Sequence, residues 1–286
     1  MIRRLLLGRL LRRIRCARSH RIAWLSLVLF VNGCALGPPL PDNARLLSDV
    51  AYTERETGRL TGRLFLPAGK GPNPAVLLLH GGGWRNGSPQ QMDVIARRLV
   101  GEGFVVFSAA YRLAPETRYP GQLEDVRAAF AWLADRPEVD PTRIATWGYS
   151  AGAQLALLLG LRTEPGQPRP SAVVAGGAPA ALRLFDARSR LLVNYLGAPR
   201  EEAPGIWTEA SPVEWVSQDD PPAYLYHGKA DGLVDIQHAR LLASQLRESG
   251  VEVILDEVPG GHVTVFLTGR DIEARATAFL TRLLGG

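Results

Sequence analysis

From residue 50 onward the chain alternates short apolar runs with amphipathic stretches. Segments 50–56 and 59–66 read as leading strands. The runs at 75–80, 104–110, 143–149, 171–176, 223–227 and 251–258 are nearly continuous in apolar residues. Runs of that length belong to strands covered on both faces. Leu123, Val126, Phe130 and Leu133 recur at helical spacing, as do Ile272, Ala276, Phe279 and Leu283. Each set draws one apolar stripe along a helix. Strands alternating with such helices predict βαβ units and a mostly parallel central sheet flanked by helices, an α/β architecture. The alternation breaks at 182–221, too long a stretch for a plain connection. It is expected to form a small helical cap inserted over one end of the sheet. The Pro-rich segment 163–170 reads as a surface loop, and no internal repeat interrupts the pattern.

The first 33 residues follow a different rule. They hold eight arginines and no acidic residue, then an apolar run at 22–31, then Asn32-Gly33-Cys34-Ala35. Basic, apolar, then small is the order of a secretory signal. The apolar run is about half the roughly 20 residues needed to span a bilayer. Val31–Cys34 resembles a bacterial lipobox, with Asn32 where a small residue is usual. The expectation is a lipoprotein-type signal over 1–33, lipidation of Cys34, a stiff Pro-rich tether over 34–49, and a catalytic domain over 50–286. The membrane would then be a partner through the N-terminal lipid, on the periplasmic or extracellular face of a bacterial envelope. This segment also accounts for the net charge of +5 over 286 residues, since the rest sums to −3. No basic patch remains downstream, so no nucleic acid is expected as a partner. With 46% apolar and 21% charged residues the remainder is globular, and two cysteines exclude a disulfide framework.

Two glycine-rich motifs carry the candidate chemistry. Gly148-Tyr149-Ser150-Ala151-Gly152 ends one apolar run and opens an Ala/Leu-rich helical stretch. A serine in that strand–turn–helix context is raised on a tight turn at a helix N-terminus, which favours developing negative charge. His80-Gly81-Gly82-Gly83-Trp84 follows another run and frees backbone N–H groups to converge on an oxyanion. Gly82, Gly83 and Ala151 are the expected donors. Trp84 is a candidate for lining the substrate pocket, with packing beneath the loop as the alternative. A serine needs a base. Among the five histidines, His262 stands after Gly260-Gly261 on an expected loop at a strand end, and elimination selects it. An acid must orient the imidazole. Asp231, four residues beyond the run at 223–227, is the leading candidate, with Asp235 as its rival. The Tyr111-Arg112 pair and Asp125 are expected to form an internal ion-pair network, and Asp140 with Arg143 to pin a helix-to-strand turn.

The order Ser150, Asp231, His262 is that of α/β-hydrolases. Together with 80–84, 111–116, His227-Gly228 and Gly261-His262, it resembles the α/β-hydrolase esterases. The likeness is to hormone-sensitive-lipase-like carboxylesterases and to the feruloyl-esterase-like and arylformamidase-like groups. Only 35–50 is available for the N-terminal cap of the first branch, which favours the smaller forms and an open pocket. The resemblance implies an α/β-hydrolase fold and a serine esterase acting on small-molecule esters, without metal or cofactor. An arylformamidase or amidase would use the same machinery. A non-catalytic surface-binding protein of this fold would be expected to lack a triad member or an oxyanion glycine.

Overall fold

Eight strands form one sheet in the computed structural model, which describes residues 38–163 and 166–285. They are β1 (Arg45–Arg55), β2 (Gly58–Leu66), β3 (Asn73–Leu79), β4 (Val105–Ala109), β5 (Val139–Tyr149), β6 (Ala172–Gly176), β7 (Ala223–Gly228) and β8 (Val253–Val258). Their spatial order is β1-β2-β4-β3-β5-β6-β7-β8. β2 pairs antiparallel with β1 and β4; every other neighbouring pair is parallel. The signal segment 1–33 and Cys34 lie outside the described residues. β1 begins at Arg45, so the last part of the stretch read as a tether is already in the sheet.

The inner parallel strands β3, β4, β6 and β7 are almost wholly buried because helices cover both faces. In β3, Ala75, Leu77 and Leu79 face one core, and Val76 and Leu78 the other. The first core is closed by α2 (Gly121–Ala134), α3 (Ala151–Leu161) and α6 (Gln237–Glu248), through residues such as Leu123, Phe130, Leu158 and Leu246. The second is closed by α1 (Asp93–Gly101) and α8 (Arg270–Leu284), through Ile95, Leu99, Phe279 and Leu280. Each such side chain contributes about 1.5–3 kcal/mol on full burial. The stripes read at 123–133 and 272–283 are the inward faces of α2 and α8.

The insertion after β6 holds two short helices, α4 (Arg190–Leu196) and α5 (Pro204–Glu209), between 3₁₀ turns Leu182–Leu184 and Pro212–Trp215. Its Tyr195 and Trp207 are buried in the first core, so this cap is packed into the body of the fold. The expected polar network also forms. Asp125, buried, receives Arg112 Nε at 2.7 Å and Arg55 Nε at 2.9 Å, and Arg143 Nε lies 2.8 Å from Asp140.

Candidate active site

All parallel strands end on one edge of the sheet, and the loops leaving that edge carry the chemistry. β5 runs into α3 through Ser150, whose backbone sits at φ 55°, ψ −121°. A non-glycine residue persists in this sparsely populated region only where its surroundings hold it. Here they do. Ser150 N–H donates to Gly176 O at 2.8 Å, and a Cβ at Gly148 would lie 2.2 Å from Gly152 O. A Cβ at Gly152 would strike Leu79 O at the same distance, so both motif glycines allow backbones to touch.

His262 opens a short helix, α7 (His262–Thr268), where the sequence pattern led to a loop. Seven residues are too few to show a period. Its Nε2 lies 2.9 Å from Ser150 Oγ and its Nδ1 2.6 Å from Asp231 Oδ2. A carboxylate can only accept, so Nδ1 carries the proton and Nε2 is left to accept from the serine hydroxyl. Asp231 Oδ1 accepts the N–H groups of Leu233 and Val234, both at 2.9 Å. Its side chain is fully buried. Burial pushes the carboxyl up, but hydrogen bonds from His227, His262 and Val234 N–H outweigh it and hold the acid well below the usual range. Asp235 points elsewhere, accepting Gln237 N–H at 2.8 Å just before α6.

A second histidine stands behind the acid. His227 Nε2–H donates to Val234 O at 2.8 Å and lies 3.3 Å from Asp231 Oδ2, so this buried ring presents its N–H beside the carboxylate. The sequence marked His227 as a strand end and as part of the family likeness, with no role of its own.

On the other side of Ser150 lies the glycine loop. Gly82, Gly83 and Trp84 take φ values of 118°, 62° and 59°, three left-handed residues in a row. The loop is braced by His80, whose ring stacks on Tyr111 at 4.3 Å and whose Nδ1 sits 2.8 Å from Gly81 O. Burial lowers the His80 pKa to about 4, which keeps the ring neutral. Ala151, the first residue of α3, has no acceptor for its N–H within the helix.

Trp84 is 2% exposed and stacks on Tyr195 of the cap at 4.2 Å, so it packs beneath the loop. Its Nε1 donates to Gln154 Oε1 at 3.1 Å. Gln154 escaped the sequence reading, although a lone amide in the all-apolar helix Ala151–Leu161 was a signal. A helix apolar on every side is buried, and a buried amide needs partners. Gln154 finds three: Trp84, Tyr195 Oη at 3.3 Å and Ala210 O at 2.6 Å.

A Ser–His–Asp chain raised on a strand–turn–helix elbow at the carboxyl edge of a mostly parallel sheet defines an α/β-hydrolase. The BD-FAE family profile matches residues 63–246, and the chain belongs to that family. It is 31% identical to esterase LipC of Mycobacterium tuberculosis over 223 residues, 69% of this chain and 55% of that protein. It is 28% identical to an ethyl acetate hydrolase of Pseudomonas putida over 267 residues, 81% of this chain and 79% of that one. The chain spans about half the length of the curated relatives it matches first. Among solved structures it is similar in fold to a truncated carbohydrate esterase from gut microbiota. That likeness has a TM-score of 0.76 at 23% identity and covers 87% of this chain and 100% of the other.

Proposed function

We propose that this chain is a serine hydrolase that cleaves carboxylic esters with small acyl groups through an acyl-enzyme intermediate. The observation that carries the reading is the continuous chain from Ser150 Oγ to His262 Nε2 at 2.9 Å and from His262 Nδ1 to Asp231 Oδ2 at 2.6 Å. Ser150 Oγ attacks the ester carbonyl while His262 Nε2 takes its proton. The carbonyl oxygen becomes an oxyanion facing the N–H groups of Gly82, Gly83 and Ala151. His262 returns the proton to the departing alkoxide, which leaves as the alcohol, and Ser150 stays acylated. Water then repeats the cycle and frees the acid. Leu191 of the cap supports the small acyl group, because its Cδ1 lies 3.1 Å from where a Cβ on Gly83 would stand. Esterase LipC and the ethyl acetate hydrolase support ester over amide or formamide.

Fluorophosphonate labelling with an ester, amide and formamide panel tests the reading. Ser150→Ala abolishes labelling and lowers turnover by orders of magnitude, leaving roughly 10³–10⁴ over water from oxyanion and binding contacts. Labelling that survives the substitution rejects it.

We propose separately that the catalytic domain lies outside the cytoplasm, tethered through lipid on Cys34. The Arg-rich start, the short apolar run and Gly33-Cys34 support it. Mass spectrometry of membrane-extracted protein is expected to find an acylated peptide beginning at Cys34, and Cys34→Ser to block maturation. Recovery of an intact Arg-rich N-terminus rejects the anchor and leaves the catalytic assignment standing.

A further inference from the structure

Six large apolar side chains are well exposed among the described residues, and four of them lie on the segments that leave β6, β7 and β8 at the catalytic edge of the sheet. Leu184 (47% exposed) lies in the 3₁₀ turn after β6, and Leu233 (57%) in the loop after β7. Val263 (57%) and Leu267 (55%) lie on α7 after β8, four residues apart and therefore on one helix face. β6, β7 and β8 are parallel neighbours, so these positions share the edge that carries the triad. Apolar residues scattered singly over a surface need no explanation; a gathering beside a reactive serine does.

The reaction assigns that gathering a side. The departing oxygen takes its proton from His262 Nε2, so it must come within hydrogen-bond reach of the imidazole. Val263 is the next residue after His262, and the Leu233 N–H donates to the acid that orients it. On the proposed mechanism the carbonyl oxygen faces the other side, toward the N–H groups of Gly82, Gly83 and Ala151. Between Pro259 and Leu267, Thr264 is the only polar side chain besides His262 itself.

Resting on the esterase reading, we infer that Leu233 and Val263, with Leu267 beyond, form the alcohol subsite and select esters of apolar alcohols. Esters of heavily hydroxylated alcohols such as sugars are disfavoured there, because their hydroxyls would lose water against side chains that offer no hydrogen bond in return.

The experiment compares acetate esters of ethanol, butanol and hexanol, whose leaving groups are alike in basicity, with acetylated methyl glucoside. Half-burying each added methylene raises kcat/KM about two-fold, so hexyl acetate, four methylenes longer, is expected to exceed ethyl acetate by roughly 15-fold. Leu233→Ser and Val263→Ser each flatten this rise while the dependence on acyl length keeps its shape. No rise with alcohol length, or a glucoside acetate turned over faster than hexyl acetate, overturns the alcohol subsite and leaves the esterase reading intact. Failure to hydrolyse any ester overturns both.

Discussion

Gln154→Leu keeps the size of a buried side chain and removes three hydrogen bonds at once. Gln154 is fully buried one turn after Ser150, where it joins the oxyanion loop to the cap. The substitution strands Trp84 Nε1, which donates at 3.1 Å, and Ala210 O, which accepts at 2.6 Å, both in buried residues. It also removes the longer contact from Tyr195 Oη at 3.3 Å. Each stranded buried group costs about 1–3 kcal/mol, with the long contact at the low end, so the sum is about 3–5 kcal/mol. For a domain of this size that lowers Tm by roughly 6–20 °C. Activity falls separately. Trp84 is the last of three consecutive left-handed residues, and without its Gln154 anchor the Gly82 and Gly83 N–H groups lose their aim. One lost oxyanion donor costs about 10²–10³ in kcat, so kcat is expected to fall by at least about ten-fold with KM little changed. Trp84→Phe removes the same N–H together with one ring of a buried indole, so it should lower kcat in the same direction, with a Tm loss that includes the cavity left behind. Calorimetry and steady-state kinetics on 4-nitrophenyl acetate measure both. A Gln154→Leu protein with Tm and kcat close to the parent would refute the role of Gln154 as a positioning residue.

Other expectations follow from single contacts. A Cβ at Gly82 would stand 2.1 Å from Asn86 O at a φ of 118°, so Gly82→Ala is expected to cut kcat by about 10²-fold or more; parent-like kinetics would remove Gly82 from the oxyanion site. Asp231→Asn keeps the shape and loses the charge, and should lower kcat about 10⁴-fold, whereas Asp235→Asn stays within a few-fold; the reverse ranking would exchange their roles. Glu273 is buried, and desolvation raises its carboxyl from the ordinary 4.5 to about 7 against the pull of Arg98. The folded state therefore holds this proton more tightly than the unfolded one, so stability is lost as pH rises from 4.5 to about 7. Glu273→Gln removes that loss, and urea unfolding should show it stabilised at pH 8 by at most about 3 kcal/mol, with little effect near pH 4. Equal effects at both pH values would contradict it.

The inner strands β3, β4, β6 and β7 could be read from the chain because strands buried on both faces are apolar along nearly their whole length, and such runs need no partner to be recognised; the more exposed β1 starts five residues before its apolar pattern does. The elbow could be read for a similar reason. A turn in which Gly148 meets Gly152 O and Gly152 meets Leu79 O tolerates no side chain, so the constraint is written into the motif itself. Helices α2 and α8 announce themselves by a stripe several turns long, while α7, at seven residues, does not.

Contacts between distant segments had no such local mark. The sequence ranks Asp231 ahead of Asp235 without deciding between them, and the packing of β7 beside β8 brings the first to 2.6 Å from His262 and leaves the second on Gln237 N–H. Trp84 could have faced substrate or core; the cap's Tyr195, 111 residues further on, buries it. Gln154 acts through partners supplied by the glycine loop and the cap. Local backbone and burial demands shape the composition of each segment and so survive in the sequence. Which polar group meets which is decided by the three-dimensional closeness of segments far apart in the chain, and that exists only once the sheet has assembled.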